Sequence, residues 1–184
     1  MSKATPLGAV AKFASGGKTM PKKDLALQAI AYGYVYVARV AMGADPQQTL
    51  RAFREAEAYD GPSLIIAYSH CIAHGYDLRL GAEQQKLAVQ SGVWPLYRYD
   101  PRRVAQGLPP LVIDAPAGRA SVQEYMRNET RFRMVEKIDA GRFRRLAEAA
   151  RDHAARRVAL YEQLARITLP TPVAPAGSTK EAAR

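Results

Sequence analysis

The segment from Tyr34 to Ala67 decides the fold. It reads Tyr34-Val35-Tyr36-Val37-Ala38-Arg39-Val40, then Asp45-Pro46-Gln47-Gln48, then Gly61-Pro62-Ser63-Leu64-Ile65-Ile66-Ala67. The first run is β-branched and aromatic, which suits a pleated strand better than a helix. Asp45 offers a side-chain acceptor, Pro46 a preset φ and Gln48 a capping-box partner, so a helix starts here. That helix is expected over 46–59, with Leu50 and Phe53 turned inward. Gly61-Pro62 then turns the chain into a second strand near Leu64–Tyr68. A strand, a helix and a second strand with short connections make one unit of a parallel α/β sheet.

The pattern extends outward on both sides. Residues 1–23 are rich in Gly, Ser, Lys and Pro without a clear period, and read as loop. Asp24 is a natural cap for a helix over 24–32, with Leu25, Ala29 and Ile30 on one face and Gly33 ending it. Downstream, Glu83–Gln90 reads as a helix, and 94–99 and 111–113 read as further short strands. One helix is expected from Ser121 to about Ile138, broken by Asp139-Ala140-Gly141. A second is expected from Arg142 to Arg166, with Phe143, Leu146, Ala150, Tyr161 and Leu164 at helical spacing. The Pro-, Ala- and Thr-rich end reads as a disordered tail. The expected division is residues 1–120 as α/β domain, 121–166 as helical extension and 167–184 as tail.

Composition narrows the class. The chain has 184 residues, 48% hydrophobic and 24% charged, enough for one domain with a core. No apolar run approaches a membrane span, and the N-terminus lacks the apolar stretch of a secretory signal. One cysteine excludes an internal disulfide. A soluble cytoplasmic protein is expected, with no membrane partner. Net charge is +10, and arginine is dense from Arg127 to Arg166. Such a block reads as a solvated face or a surface for an acidic neighbour. A basic nucleic-acid-binding helical protein is the alternative. It rests on charge alone, because no zinc-finger spacing, RRM signature or basic zipper accompanies it, and nucleic acid is not the expected partner.

Chemistry concentrates in Ser69-His70-Cys71-Ile72-Ala73-His74-Gly75, just after the second strand. Open α/β sheets bind ligands beyond the carboxyl ends of their strands. One thiol cannot hold a metal ion alone, so Cys71 is either an inert, buried small side chain or one part of a larger site. His70, Cys71 and His74 offer three zinc-type ligands without a fourth. Tyr32, Tyr34 and Tyr36 read as core and strand packing, and Trp94 as a core anchor.

Several stretches taken together resemble one family. They are Ser2-Lys3-Ala4-Thr5-Pro6 with Gly8-Ala9-Val10-Ala11-Lys12-Phe13, and Lys22-Lys23-Asp24-Leu25 followed by Tyr32-Gly33-Tyr34-Val35-Tyr36-Val37-Ala38. Gly61 to Tyr68 leading into Cys71-Ile72, and Ser91-Gly92 with Trp94-Pro95-Leu96-Tyr97-Arg98-Tyr99-Asp100-Pro101, complete the set. In this order they resemble the pyruvate:ferredoxin (flavodoxin) oxidoreductases. The form with His70, His74 and Glu83 to Val89 is similar to the nitrogen-fixation-linked, flavodoxin-reducing branch. The resemblance covers about Ser2 to Arg166.

The resemblance implies a fold and a site. The fold would be α/β, a partial parallel sheet from the back half of a thiamine-diphosphate-binding domain, with a C-terminal helical extension. The whole enzyme would convert pyruvate and coenzyme A to acetyl-CoA and carbon dioxide. Electrons would leave through [4Fe-4S] clusters to ferredoxin or flavodoxin. Cys71 matches the family cysteine that is the fourth ligand of the cluster nearest the thiamine. The other three ligands, the Mg2+ ligands and the diphosphate-binding motif match nothing here and lie upstream in the family. The chain would correspond to the C-terminal end only. It would need the remainder of the oxidoreductase as its partner, within a homodimer, and would be inactive alone. A non-catalytic remnant or accessory chain packed on a companion polypeptide is the second reading. Arg98, Arg102 and Arg103 read as solvated surface or as contacts for coenzyme A phosphates.

Overall fold

The computed structural model describes residues 5–71, 73 and 76–171. Helix α1 (Leu25–Ile30) leads to β1 (Tyr36–Val40), α2 (Pro46–Glu57) and β2 (Ser63–Ala67). Helix α3 (Gly81–Gln90), β3 (Tyr97–Tyr99) and β4 (Leu111–Ile113) follow, then α4 (Val122–Arg127), α5 (Thr130–Ile138) and α6 (Ala140–Leu164). Both expected caps form. The carboxylate of Asp24 accepts from Leu27 N at 3.2 Å and that of Asp45 from Gln48 N at 2.8 Å.

The sheet runs β2-β1-β3-β4. β1 and β2 are parallel, with Tyr36 opposite Ser63 and Val40 opposite Ala67. This is the strand–helix–strand unit read from the sequence. β3 pairs antiparallel with both β1 and β4, so the sheet is mixed. Only residues 100–110 separate β3 from β4. That stretch is too short for the crossover a parallel pair needs, and it suffices for an antiparallel one.

β1 is buried along its whole length and sends alternate residues to opposite faces. Tyr36, Ala38 and Val40 pack with Ala52 under α2. Val37 packs with Ala26, Ala29, Tyr97 and Tyr161 from α1, β3 and α6 on the other side. A larger core joins Ala9, Trp94 and Leu96 to residues of α3, α4, α5 and α6, including Met126, Phe132 and Phe143. Helix α6 thus shares its core with the sheet.

Several expectations are corrected. Leu50 and Phe53 are 45% and 54% exposed, and α2 instead buries Gln48, Thr49 and Ala52. Small Ala52 lets α2 lie close on β1, while Glu55 on the same helix reaches Tyr36 and Arg98. Leu25 is exposed, and α1 buries Ala26 and Ala29. Tyr32 and Tyr34 are exposed, so only Tyr36 of the three tyrosines is core. The single helix expected over 121–138 is two helices, because Glu129 adopts an extended backbone between them. Its side chain is pulled inward, where it pairs with Arg131 and accepts from Gln84 Nε2 and Tyr68 Oη. Asp139 does not simply break a helix: its carboxylate accepts from Arg142 N at 2.8 Å and caps α6. Trp94 is core, as expected, and donates to Val40 O at 3.0 Å.

Candidate functional site

The β2 strand ends at Ala67, and the chain turns through Tyr68, Ser69 and His70 to Cys71. Packing holds this turn. The His70 ring stacks on Tyr76 at 4.8 Å and meets Tyr68 edge-on at 5.3 Å. The Tyr68 hydroxyl lies 3.0 Å from that of Tyr125 and donates to Glu129 Oε1 at 3.1 Å. Burial pushes the Tyr68 phenol far above its ordinary range, so it stays protonated and can donate. His70 is held below the ordinary histidine range, first by burial, and Glu129 opposes this. Cys71 is half-buried.

Cys71 lies on the wall of a cavity of about 390 Å³ beyond the strand ends, with Tyr68 and Trp94 as neighbours in the lining. A larger cavity of about 700 Å³ lies along α6 and residues 117–123. It holds no thiol and lies away from the β2 end, so the smaller one is the candidate site. It also matches the size and aromatic lining of small-molecule sites.

The cavity is strongly cationic. The Arg39 guanidinium lies 3.8 Å from the centre of the Trp94 ring, and Lys22 Nζ lies 5.3 Å from it. Arg157 comes down from α6 one turn before Tyr161, whose hydroxyl accepts from Tyr97 Oη at 2.9 Å. Arg157 Nη2 donates to the carbonyl oxygens of Gly92 and Val93, beside Trp94. Burial draws the Arg157 pKa down to about 10, with Arg39 adding to the effect. Lys22 is lowered by burial first, then by Arg39, Arg131 and Arg157. Arg131 is matched by Glu129. Among the described residues, Lys22, Arg39 and Arg157 make no ion pair.

The residues singled out in the sequence are distributed unevenly. Cys71, His70 and Trp94 meet at the cavity. His74 and Ile72 lie outside the described residues, as do Ser2 to Ala4 and 172–184 of the expected tail. Arg98, 12% exposed, is not solvated surface, whereas the Arg102 side chain is 39% exposed; all three arginines are engaged by protein groups. Arg98 is clamped by Asp114 and Glu55, Arg102 by Asp100 and the Ala58 carbonyl, and Arg103 Nε donates to Pro109 O at 2.8 Å. The Lys22, Arg39 and Arg157 cluster went unread in the sequence. The available signal was Arg39, a charge in the middle of an apolar strand.

These features define an α/β unit with a thiol and a cationic cavity at the carboxyl end of a parallel strand pair. No protein-family model matches the chain. Its sequence is similar to one stretch of the pyruvate-flavodoxin oxidoreductases. It is 55% identical over 164 residues to that of Rhodospirillum rubrum, covering 89% of this chain and 14% of the relative. It is 54% identical over 165 residues to that of Trichormus variabilis, covering 90% and 14%. With the pyruvate:ferredoxin oxidoreductase of Moorella thermoacetica the identity is 46% over 164 residues, covering 89% and 14%. The chain spans about one seventh of the length of these curated relatives. No helix among the described residues is long and apolar enough to cross a membrane.

Proposed function

We propose that this chain works as one part of a pyruvate:flavodoxin or ferredoxin oxidoreductase. The assembled enzyme would take pyruvate and coenzyme A to acetyl-CoA and carbon dioxide and pass the released electrons to flavodoxin or ferredoxin. The supporting observation is identity of 43–55% over about nine-tenths of the chain to relatives named for that activity. In this reading residues 1–120 serve a thiamine-diphosphate-binding domain, and 121–166 brace it. The basic nucleic-acid-binding alternative has only charge behind it.

Cys71 is proposed as one thiolate ligand of a [4Fe-4S] cluster. Its place after β2, beside a cavity, supports this. An iron–sulfur cluster takes four ligands, most often thiolates. Among the described residues no group of three or more His, Cys, Asp or Glu side chains is placed to hold a metal ion. In this reading the other ligands of the cluster, and those for Mg2+ and the diphosphate, would come from the rest of the assembly. The cluster, when bound, would carry electrons. The side chains of Tyr68, His70 and Tyr76 fix the backbone that carries the thiol.

Complementation tests the proposal. The 184-residue chain is mixed anaerobically with a polypeptide supplying the rest of an oxidoreductase, and iron content and pyruvate-dependent viologen reduction are followed. The chain alone should show neither, and the mixture both. Cys71→Ala should lower the iron content or block electron transfer while leaving circular dichroism unchanged. Turnover by the isolated chain would overturn the proposal for the chain. A fully active complex carrying Cys71→Ala would overturn the ligand assignment.

A further inference from the structure

A buried cation costs free energy unless something negative sits near it. Arg39 is 5% exposed, and its Nε has no hydrogen-bond partner. Arg157 Nε is likewise buried and unpartnered. Both side chains, with Lys22, line the same cavity. Asp24 is the carboxylate felt by both Lys22 and Arg157. Its oxygens are already engaged, one by Leu27 N and the other by Tyr161 Oη at 2.7 Å. Lys22 and Arg157 thus share one carboxylate that is busy elsewhere, and Arg39 makes no ion pair among the described residues. His153 also lines the cavity and can only add positive charge.

We propose that the cavity around Trp94 is a binding site for a small phosphate monoester, its dianionic head held by Lys22, Arg39 and Arg157. Two unpartnered guanidinium N–H donors and an ammonium match a phosphate, which accepts several charge-assisted hydrogen bonds at once. A dianion compensates this cluster better than a carboxylate does. The volume, about 390 Å³, exceeds that of an inorganic ion, and Trp94, Met126, Phe132 and Val93 offer apolar wall for an organic body. Cys71 lines the same cavity but is not among the groups that hold the phosphate, so binding by the chain does not depend on the cluster assignment.

The whole chain contains one tryptophan, and it is the residue at the centre of the site. Its fluorescence reports binding directly. Butyl phosphate, butyrate, butanol and inorganic phosphate are titrated at constant ionic strength, with melting temperature as a second readout. Butyl phosphate should bind at least about tenfold more tightly than butyrate or butanol, the ratio expected from one added charge-assisted contact. It should raise the melting temperature, and well above its Kd the rise should follow the logarithm of its concentration. Inorganic phosphate should compete with it. Lys22→Met, at the cavity wall, should weaken binding about tenfold without loss of fold, and Arg39→Met should abolish it. Should Arg39→Met fail to fold, Lys22→Met carries the test. Equal affinity for butyl phosphate and butanol or butyrate would overturn the proposal. So would binding indifferent to Lys22→Met.

Discussion

Replacing Arg98 by methionine should destabilise the fold by about 3–5 kcal/mol, the cost of stripping one partner from a buried ion pair. Arg98 lies on β3 and its side chain is 12% exposed. Its Nε lies 3.1 and 2.9 Å from the two oxygens of Asp114, and its Nη2 lies 2.7 Å from Oδ1. Asp114 is 5% exposed, so without Arg98 its carboxylate would keep only Gln48 Nε2 at 2.9 Å. The second contact, from Arg98 Nη1 to Glu55, involves a carboxylate 28% exposed. Water can replace that contact, so it adds no more than about 1 kcal/mol. The loss is therefore set by Asp114. It is a large part of the roughly 5–15 kcal/mol typical of a whole domain. Urea unfolding measures it. With a slope of about 2 kcal/mol per molar, the midpoint should fall by about 2 M at unchanged slope. The double variant Arg98→Met, Asp114→Leu should recover most of the loss, because no charge is then left buried. A loss below about 1 kcal/mol in the single variant would refute the reasoning, since that is the value of an exposed pair. It would also reopen Arg98 as a residue available to a ligand.

Asp45→Ala removes the cap of α2 and should cost about 1 kcal/mol, lowering the melting temperature by about 2–4 °C, while Asp45→Ser should restore most of it. Gly17 has φ +86°, and a Cβ there would lie 2.8 Å from Leu146 Cδ1 and 3.1 Å from the Gly8 carbonyl oxygen. Gly17→Ala should therefore cost about 2 kcal/mol or more, read from the urea midpoint. His153 is held below the ordinary histidine range by burial first, then by Arg157 and Arg156, with Asp24 opposing. The unfolded chain then binds the proton more readily than the folded one, so stability falls as pH drops below about 6.5. His153→Gln should flatten that decline between about pH 7 and 5.5, and a decline as steep as before would show that other groups drive it.

Local chemistry made much of the fold legible. Asp24 and Asp45 announced their helices because a cap acts within one turn of chain. β1 and β2 were readable because β-branched and aromatic runs bounded by Gly-Pro and Gly-Ala have few alternatives. Their parallel pairing followed from the helix between them. The position of Cys71 followed from its place after β2. Tertiary contacts decided the rest. Which face of α2 turned inward depended on Ala52 fitting against β1 and Glu55 finding Arg98, and hydrophobicity alone pointed wrongly to Leu50 and Phe53. The break at Glu129 depended on Tyr68, Gln84 and Arg131, which lie far from it or on the other side of the break in sequence. The cationic cavity is the clearest case. Lys22, Arg39 and Arg157 stand on a loop, a strand and a helix far apart in the chain, and only Arg39, inside an apolar strand, carries a local sign of burial. Only the packing of the chain around Trp94 brings the partly buried Lys22 and Arg157 to the same cavity as the buried Arg39. Desolvation belongs to a place in space, and sequence spacing does not record it.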